Sequence, residues 1–151
     1  MDSNVKKITE TKINNVIRAL EANNMTGIYA PDCAAAIEEV RKLLHDGDTI
    51  SMGGTVTAKE SGVAELIRSD KYNFLDRNAP GITPEQIKEI YTKTFGADVF
   101  VTSTNAVTEN GELYNVDGNS NRVAAMLFGP EKVIVIAGYN KIVPDINSAA
   151  Q

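Results

Sequence analysis

Two short runs constrain this chain more than anything else in it. Val99-Phe100-Val101 and Val133-Ile134-Val135-Ile136-Ala137 are apolar at every position. A strand with one wet face alternates apolar and polar residues, so unbroken runs suit the centre of a parallel sheet covered on both faces. Helical spacings stand around them. Ile13, Val16, Ile17 and Leu20 make one stripe, stopped by Asn23-Asn24. Ile37, Val40 and Leu44 make a second, with Asp32 as its cap and Gly47 past its end. Asp48–Met52 reads as a strand, followed by Gly53-Gly54 and one helix through Val63, Leu66 and Ile67. Gly27–Ala30 and Tyr72–Leu75 read as further short strands. Thr83-Pro84-Glu85-Gln86 is the clearest helix start: Thr83 caps, Pro84 takes the first helical position, and Gln86 completes a capping box. Ile87, Ile90, Tyr91 and Phe95 then share one face, and Gly96 ends it. Strand–helix alternation repeated within 151 residues predicts an open α/β sheet.

One stretch breaks the alternation. Val107-Thr108-Glu109, Asn110-Gly111 and Glu112-Leu113-Tyr114 read as a β-hairpin near 107–116 with a type I′ turn, which needs positive φ at both central residues. Asp117-Gly118 is a second turn, and Asn119 or Ser120 is placed to cap a helix carrying Val123, Ala124, Met126 and Leu127. There is no internal repeat, linker or low-complexity segment. The length predicts one domain over 1–143, and the polar segment 144–151 reads as a short tail.

Composition narrows the function classes. With one Cys and one His, this chain alone builds neither a disulfide framework, a Cys/His zinc site nor an iron–sulfur cluster, so no metal site is expected. A net charge of −5 argues against a nucleic-acid or anionic-membrane surface. No run approaches the ~20 apolar residues of a spanning helix, and the charged start is no signal peptide, so a cytoplasmic protein is expected.

Candidate site residues cluster at strand ends. Gly53-Gly54-Thr55, with Thr57 nearby, sits between a strand and a helix, where glycines admit a close ligand and helix-start N–H groups attract anions. A tight turn explains the same residues equally well. The densest polar group follows Val99–Val101: Thr102-Ser103-Thr104-Asn105, then Glu109, Asn110, Asn115, Asp117, Asn119, Asn121 and Arg122. In open α/β sheets ligands bind at the carboxyl ends of strands. Arg122 stands in the first turn of its helix, where a cation opposes the macrodipole, and this implies a nearby anion, either a carboxylate such as Asp117 or a ligand. Lys141 follows the second apolar run and reads as an anion holder or a solvated loop lysine. Cys33 reads as a small core residue, His45 as a helix-end residue, and Glu60 as an exposed helical carboxylate.

The same segments carry a resemblance. The block Thr108-Glu109-Asn110-Gly111 through Asp117, Asn121, Arg122 and Ala125, continuing through Phe128-Gly129-Pro130 to Asn140-Lys141-Ile142-Val143, resembles the signature of the LUD domain, the lactate utilization protein family. Gly53-Gly54-Thr55-Val56-Thr57 with Glu60 and Gly62 is similar to the family's glycine-loop pattern. The resemblance implies a Rossmann-like, mostly parallel sheet flanked by helices, as in the ribose-phosphate isomerase, glucosamine-phosphate deaminase and CoA-transferase superfamily. It also implies a role in oxidising L-lactate to pyruvate beside iron–sulfur and cysteine-rich partner proteins. Carried over by position, Gly53, Gly54, Thr55 and Thr57 form an anion loop for a small carboxylate or phosphate. Asn105, Asn110, Asn115, Asn121, Arg122 and Lys141 line a facing wall, with Glu109 and Asp117 as the proton-transfer candidates. Two departures stand out: Ser120 replaces an expected glycine, and the family's cysteine-containing C-terminal extension is absent, which leaves open a homo-oligomer that covers the exposed face. The cofactor is unknown. The alternatives are a stand-alone isomerase or transferase on a sugar phosphate or CoA ester, and a non-catalytic sensing or assembly module.

Overall fold

Ile50, Val99 and Val101 have at most 1% of their surface exposed, and they lie side by side on one face of a parallel sheet. The computed structural model that shows this describes residues 3–151. In chain order its elements begin α1 (Ser3–Ala22), α2 (Cys33–Leu43), β1 (Thr49–Met52), α3 (Val56–Glu60), α4 (Val63–Ile67), β2 (Asn73–Leu75) and α5 (Pro84–Thr94). They continue β3 (Val99–Thr102), β4 (Ala106–Thr108), β5 (Leu113–Tyr114), α6 (Asn121–Leu127), β6 (Lys132–Val135), a 3-10 turn at Tyr139–Lys141, β7 (Ile142–Val143) and α7 (Ile146–Ala149).

The chain divides into two compact units. The larger comprises Asp32–Ser103 with Val116–Ile136. Its four-stranded sheet has the order β2-β1-β3-β6 and is parallel throughout. Because side chains alternate faces along a strand, Ile50, Met52, Val99 and Val101 join one core with Val40 of α2 and Val63, Ala64 and Ile67 of α4. Burying each aliphatic side chain of this kind stabilises the fold by about 1.5–3 kcal/mol. Ser51 and Phe100 face the other way, where Ser51 Oγ meets Thr94 Oγ1 of α5 at 2.6 Å. The sheet therefore has helices on both faces, as the α/β reading requires.

Several expectations need correction. The run at 133–137 is not central: β6 is an edge strand with one neighbour, and only Ile134 in it is buried. The single helix expected after Gly53-Gly54 is two, because Gly62 at φ +81 leaves the right-handed helical region. Cys33 is exposed at the start of α2 rather than in the core. The start of α5 is as expected, with both halves of its capping box formed.

The smaller unit takes the segment up to Pro31, Thr104–Asn115 and Ala137–Gln151. It holds a three-stranded sheet of order β5-β4-β7, antiparallel between β4 and β5 and parallel between β4 and β7. The hairpin is present, but not with a type I′ turn. Of its central residues only Gly111 has positive φ, at +79. Thr108 accepts the Gly111 N–H at 3.0 Å, and Glu112 accepts the Thr108 N–H at 2.9 Å. That is the three-residue loop in which a turn is followed by a left-handed glycine. Gly27–Ala30 forms no strand: it carries no regular structure, and Gly27 packs on Ile17 of α1. The segment after Pro144 gains a short helix, α7, which Asp145 caps through Ser148 at 2.8 Å.

Candidate functional site

From β1 the chain moves to β2 on one side and later to β3 on the other, so the order of the sheet reverses between β1 and β3. Ligands of open α/β sheets bind beyond the carboxyl ends of the strands at such a reversal. Here that place is a small cleft of about 30 Å³. β1 supplies Ser51 and Met52 and is followed by Gly53, β3 supplies Phe100, and α5 supplies Ile90, Tyr91 and Thr94 with its C-cap Phe95. Arg77, in the loop after β2, and Asn121, the first residue of α6, complete the lining.

Local chemistry fixes these groups. Thr94 donates its hydroxyl to the Ile90 carbonyl at 2.8 Å, which leaves Ser51 to donate to Thr94. Gly53 donates its N–H to Val101 at 2.9 Å. A Cβ at Gly53 would meet Thr102 Oγ1 at 2.8 Å and Arg122 Cδ at 3.3 Å, so the close approach of neighbours demands glycine there. At Gly54 the added atom would meet Arg77 Nη2 at 2.9 Å. Thr55 caps α3 by accepting the Ala58 N–H at 3.2 Å, and the Thr57 carbonyl accepts the Ser61 N–H.

Arg122 is held by the chain itself. Its Nε donates to Asp117 Oδ1 at 2.9 Å, Nη1 to the Ser103 carbonyl at 2.9 Å and Nη2 to the Val116 carbonyl at 3.1 Å. Of the two anions open to it in sequence, the carboxylate is therefore present. Burial raises the Asp117 carboxyl, but the Val123 N–H and the Arg122 guanidinium outweigh that and hold it below its usual 3.8. Ser120 makes no side-chain cap for α6; Asp117 reaches over to accept the Val123 N–H instead.

The remaining residues of the expected wall belong to the smaller unit. Asn105 donates its N–H to Tyr114 at 3.1 Å. Glu109 pairs with Lys12 of α1 at 2.9 Å, and the Asn110 carbonyl accepts from Asn23 at 3.0 Å. Asn115 reaches the Leu113 carbonyl at 3.5 Å, and Lys141 Nζ donates to the Thr104 carbonyl at 2.7 Å. Within this unit Glu109 engages α1 and Asn110 engages Asn23 just beyond it, whereas Lys141 engages the segment that follows β3.

Arg77 is the residue that sequence reasoning passed over. Its Nη1 lies 3.3 Å from the Tyr91 hydroxyl, and its guanidinium carbon stands 5.7 Å from the Tyr91 ring centre. The one signal for it in the sequence is its position two residues beyond a strand, at the same sheet edge as Gly53. Among the described residues no group of His, Cys, Asp and Glu is placed to hold a metal ion, and no helix is long and apolar enough to cross a membrane.

In open parallel α/β sheets, a cleft at the order reversal is where ligands bind when they do. The LUD domain model matches residues 13–151, and the chain belongs to that family of lactate utilization proteins. No curated protein and no solved structure matches it.

Proposed function

We propose that this LUD protein supports the oxidation of L-lactate to pyruvate by binding a small carboxylate or phosphate-bearing molecule at the sheet's carboxyl edge, beside iron–sulfur and cysteine-rich partners. The observation that carries the reading is the cleft at the β1/β3 reversal in a chain that the family model covers from residue 13. With one cysteine in its sequence, the chain leaves cluster chemistry to partners or to a bound cofactor.

The reading is one of binding more than of proton transfer. No carboxylate is among the described residues lining the cleft. Asp117 is tied down as a carboxylate by Arg122 and Val123. Glu109, paired only at the surface with Lys12, is the freer of the two proposed proton carriers. An isomerase needs a base within hydrogen-bond reach of its substrate, and the cleft lining offers none. Gly53, Gly54, Thr55, Thr57 and Asn121 are the proposed ligand contacts of the larger unit; Asn105, Asn110, Asn115 and Lys141 take part in the smaller unit's own hydrogen bonds. Arg122 shapes the loop as well as contributing charge.

The test is a thermal-shift panel of lactate, pyruvate, sugar phosphates, CoA, flavin and nicotinamide nucleotides. A ligand that binds only the folded state raises the midpoint with concentration. A response to at least one anion supports the reading, and a flat response to every compound refutes it.

A further inference from the structure

We infer that Arg77 is the cation of the proposed ligand site, and that its complement is the carboxylate of a short monocarboxylic acid. The inference rests on the proposed anion cleft and makes it specific. Arg41, Arg68 and Arg122 each have an acidic partner: Glu38 at 3.3 Å, Asp76 at 3.2 Å and Asp117 at 2.9 Å. Arg18 is exposed on α1. Arg77 is half-buried in the cleft wall, and among the described residues no carboxylate pairs with it.

Its orientation is fixed without a counter-ion. The Tyr91 ring and hydroxyl hold one side of the guanidinium, and the missing side chain of Gly54 makes room for Nη2. A planar fork held in this way is suited to bidentate recognition of a carboxylate. It is the one cation among the described residues lining the cleft, so a monoanion is neutralised there while a phosphate dianion keeps a negative charge against apolar walls. Those walls, Met52, Ile90, Phe95 and Phe100, suit a short hydrocarbon body, and Asn121 is a polar residue of the same lining.

The experiment is calorimetric titration of the whole chain with L-lactate, pyruvate and inorganic phosphate at matched ionic strength. It compares the natural protein with Arg77→Gln, Arg77→Lys, Gly54→Ala and the surface control Arg18→Gln, each checked for folding by circular dichroism. The expected result is binding of a carboxylate at least tenfold tighter than phosphate. That binding falls at least tenfold in Arg77→Gln, falls less in Arg77→Lys, weakens in Gly54→Ala and is unchanged in Arg18→Gln. Unaltered binding by folded Arg77 variants overturns the role of Arg77 and leaves the cleft standing. Tighter binding of phosphate overturns the monocarboxylate. Should Arg77→Gln not fold, Arg77→Lys and Gly54→Ala decide the first question. If the natural protein binds none of the three anions, this inference and the anion-cleft reading beneath it fall together.

Discussion

Asp117 serves both ends of one turn: its Oδ1 takes the Arg122 Nε–H at 2.9 Å while its Oδ2 takes the Val123 N–H at 2.8 Å. Each side chain is only 12% exposed, so little water screens the pair. Removing one partner of such a pair leaves the other charged and poorly solvated, at a cost near the low end of about 3–5 kcal/mol. Arg122→Ala is therefore expected to lower the urea midpoint clearly. A variant as stable as the natural protein would show that the guanidinium's three contacts contribute nothing.

The same carboxylate sets an acid limit. Its folded-state pKa lies below the usual 3.8, so between the two values the unfolded chain binds more protons than the folded one. The stabilisation is present above the ordinary value and is lost as pH falls through the folded value. Asp117→Asn should be less stable than the natural protein at neutral pH, and the gap should close as pH drops below about 4. Urea midpoints measured across that range check the sign; a gap that widens with acid would contradict it.

Gly111 and Gly81 form a matched pair. Both have positive φ, +79 and +75. A Cβ at Gly111 would collide with the backbone of Ala19 and Leu20 in α1, whereas nothing lies within 4 Å at Gly81. Gly81→Ala should cost only the backbone conformation, about 1–2 kcal/mol. Gly111→Ala adds steric overlap, for about 2–5 kcal/mol in all. Equal losses in chemical denaturation would mean that the hairpin tip gives way freely.

Ser120 sits at φ 59 without a side-chain capping bond. The left-handed region penalises a Cβ by about 1–2 kcal/mol, which outweighs the roughly 0.5–1 kcal/mol of chain entropy that glycine adds to the unfolded state. Ser120→Gly should therefore stabilise the protein by about 0.5–1 kcal/mol. A lower melting temperature in calorimetry would show that the serine hydroxyl has an unrecognised role.

Features governed by neighbours in sequence are legible in the residues themselves. The Thr83 capping box, the Asp32 cap and the stripe of α2 each depend on residues within a turn or two. The parallel sheet is legible too, because Val99–Val101 can only be apolar throughout if both faces are covered. What escapes a reading of the residues depends on distant partners. Nothing local distinguishes an edge position from a central one for Val133–Val135, since strand order is decided by the crossovers. Asn110-Gly111 suits two kinds of hairpin loop, and its docking on α1 is part of what fixes the one found. Arg77 carries no motif; its interest comes from Tyr91 and Gly54, neither adjacent to it in sequence. The block that most resembles the LUD family serves partly as architecture. Thr108, fully buried, donates to the Glu112 carboxylate at 2.7 Å and accepts the Glu112 N–H at 3.1 Å.

The docking of the hairpin on α1 also sets an order of events. Asn23 reaches the Gly111 carbonyl across 88 residues, and the strand that flanks β4, Ile142–Val143, comes later still. Closing so long a loop costs entropy before any contact repays it, and non-local pairing of this kind slows folding. α1 is synthesised before its partners and must wait for them, with Val5 and Ile8 exposed even in the folded structure. A nascent chain is thus most open to misassociation while α1 stands alone, and refolding of the smaller unit should be the slow step.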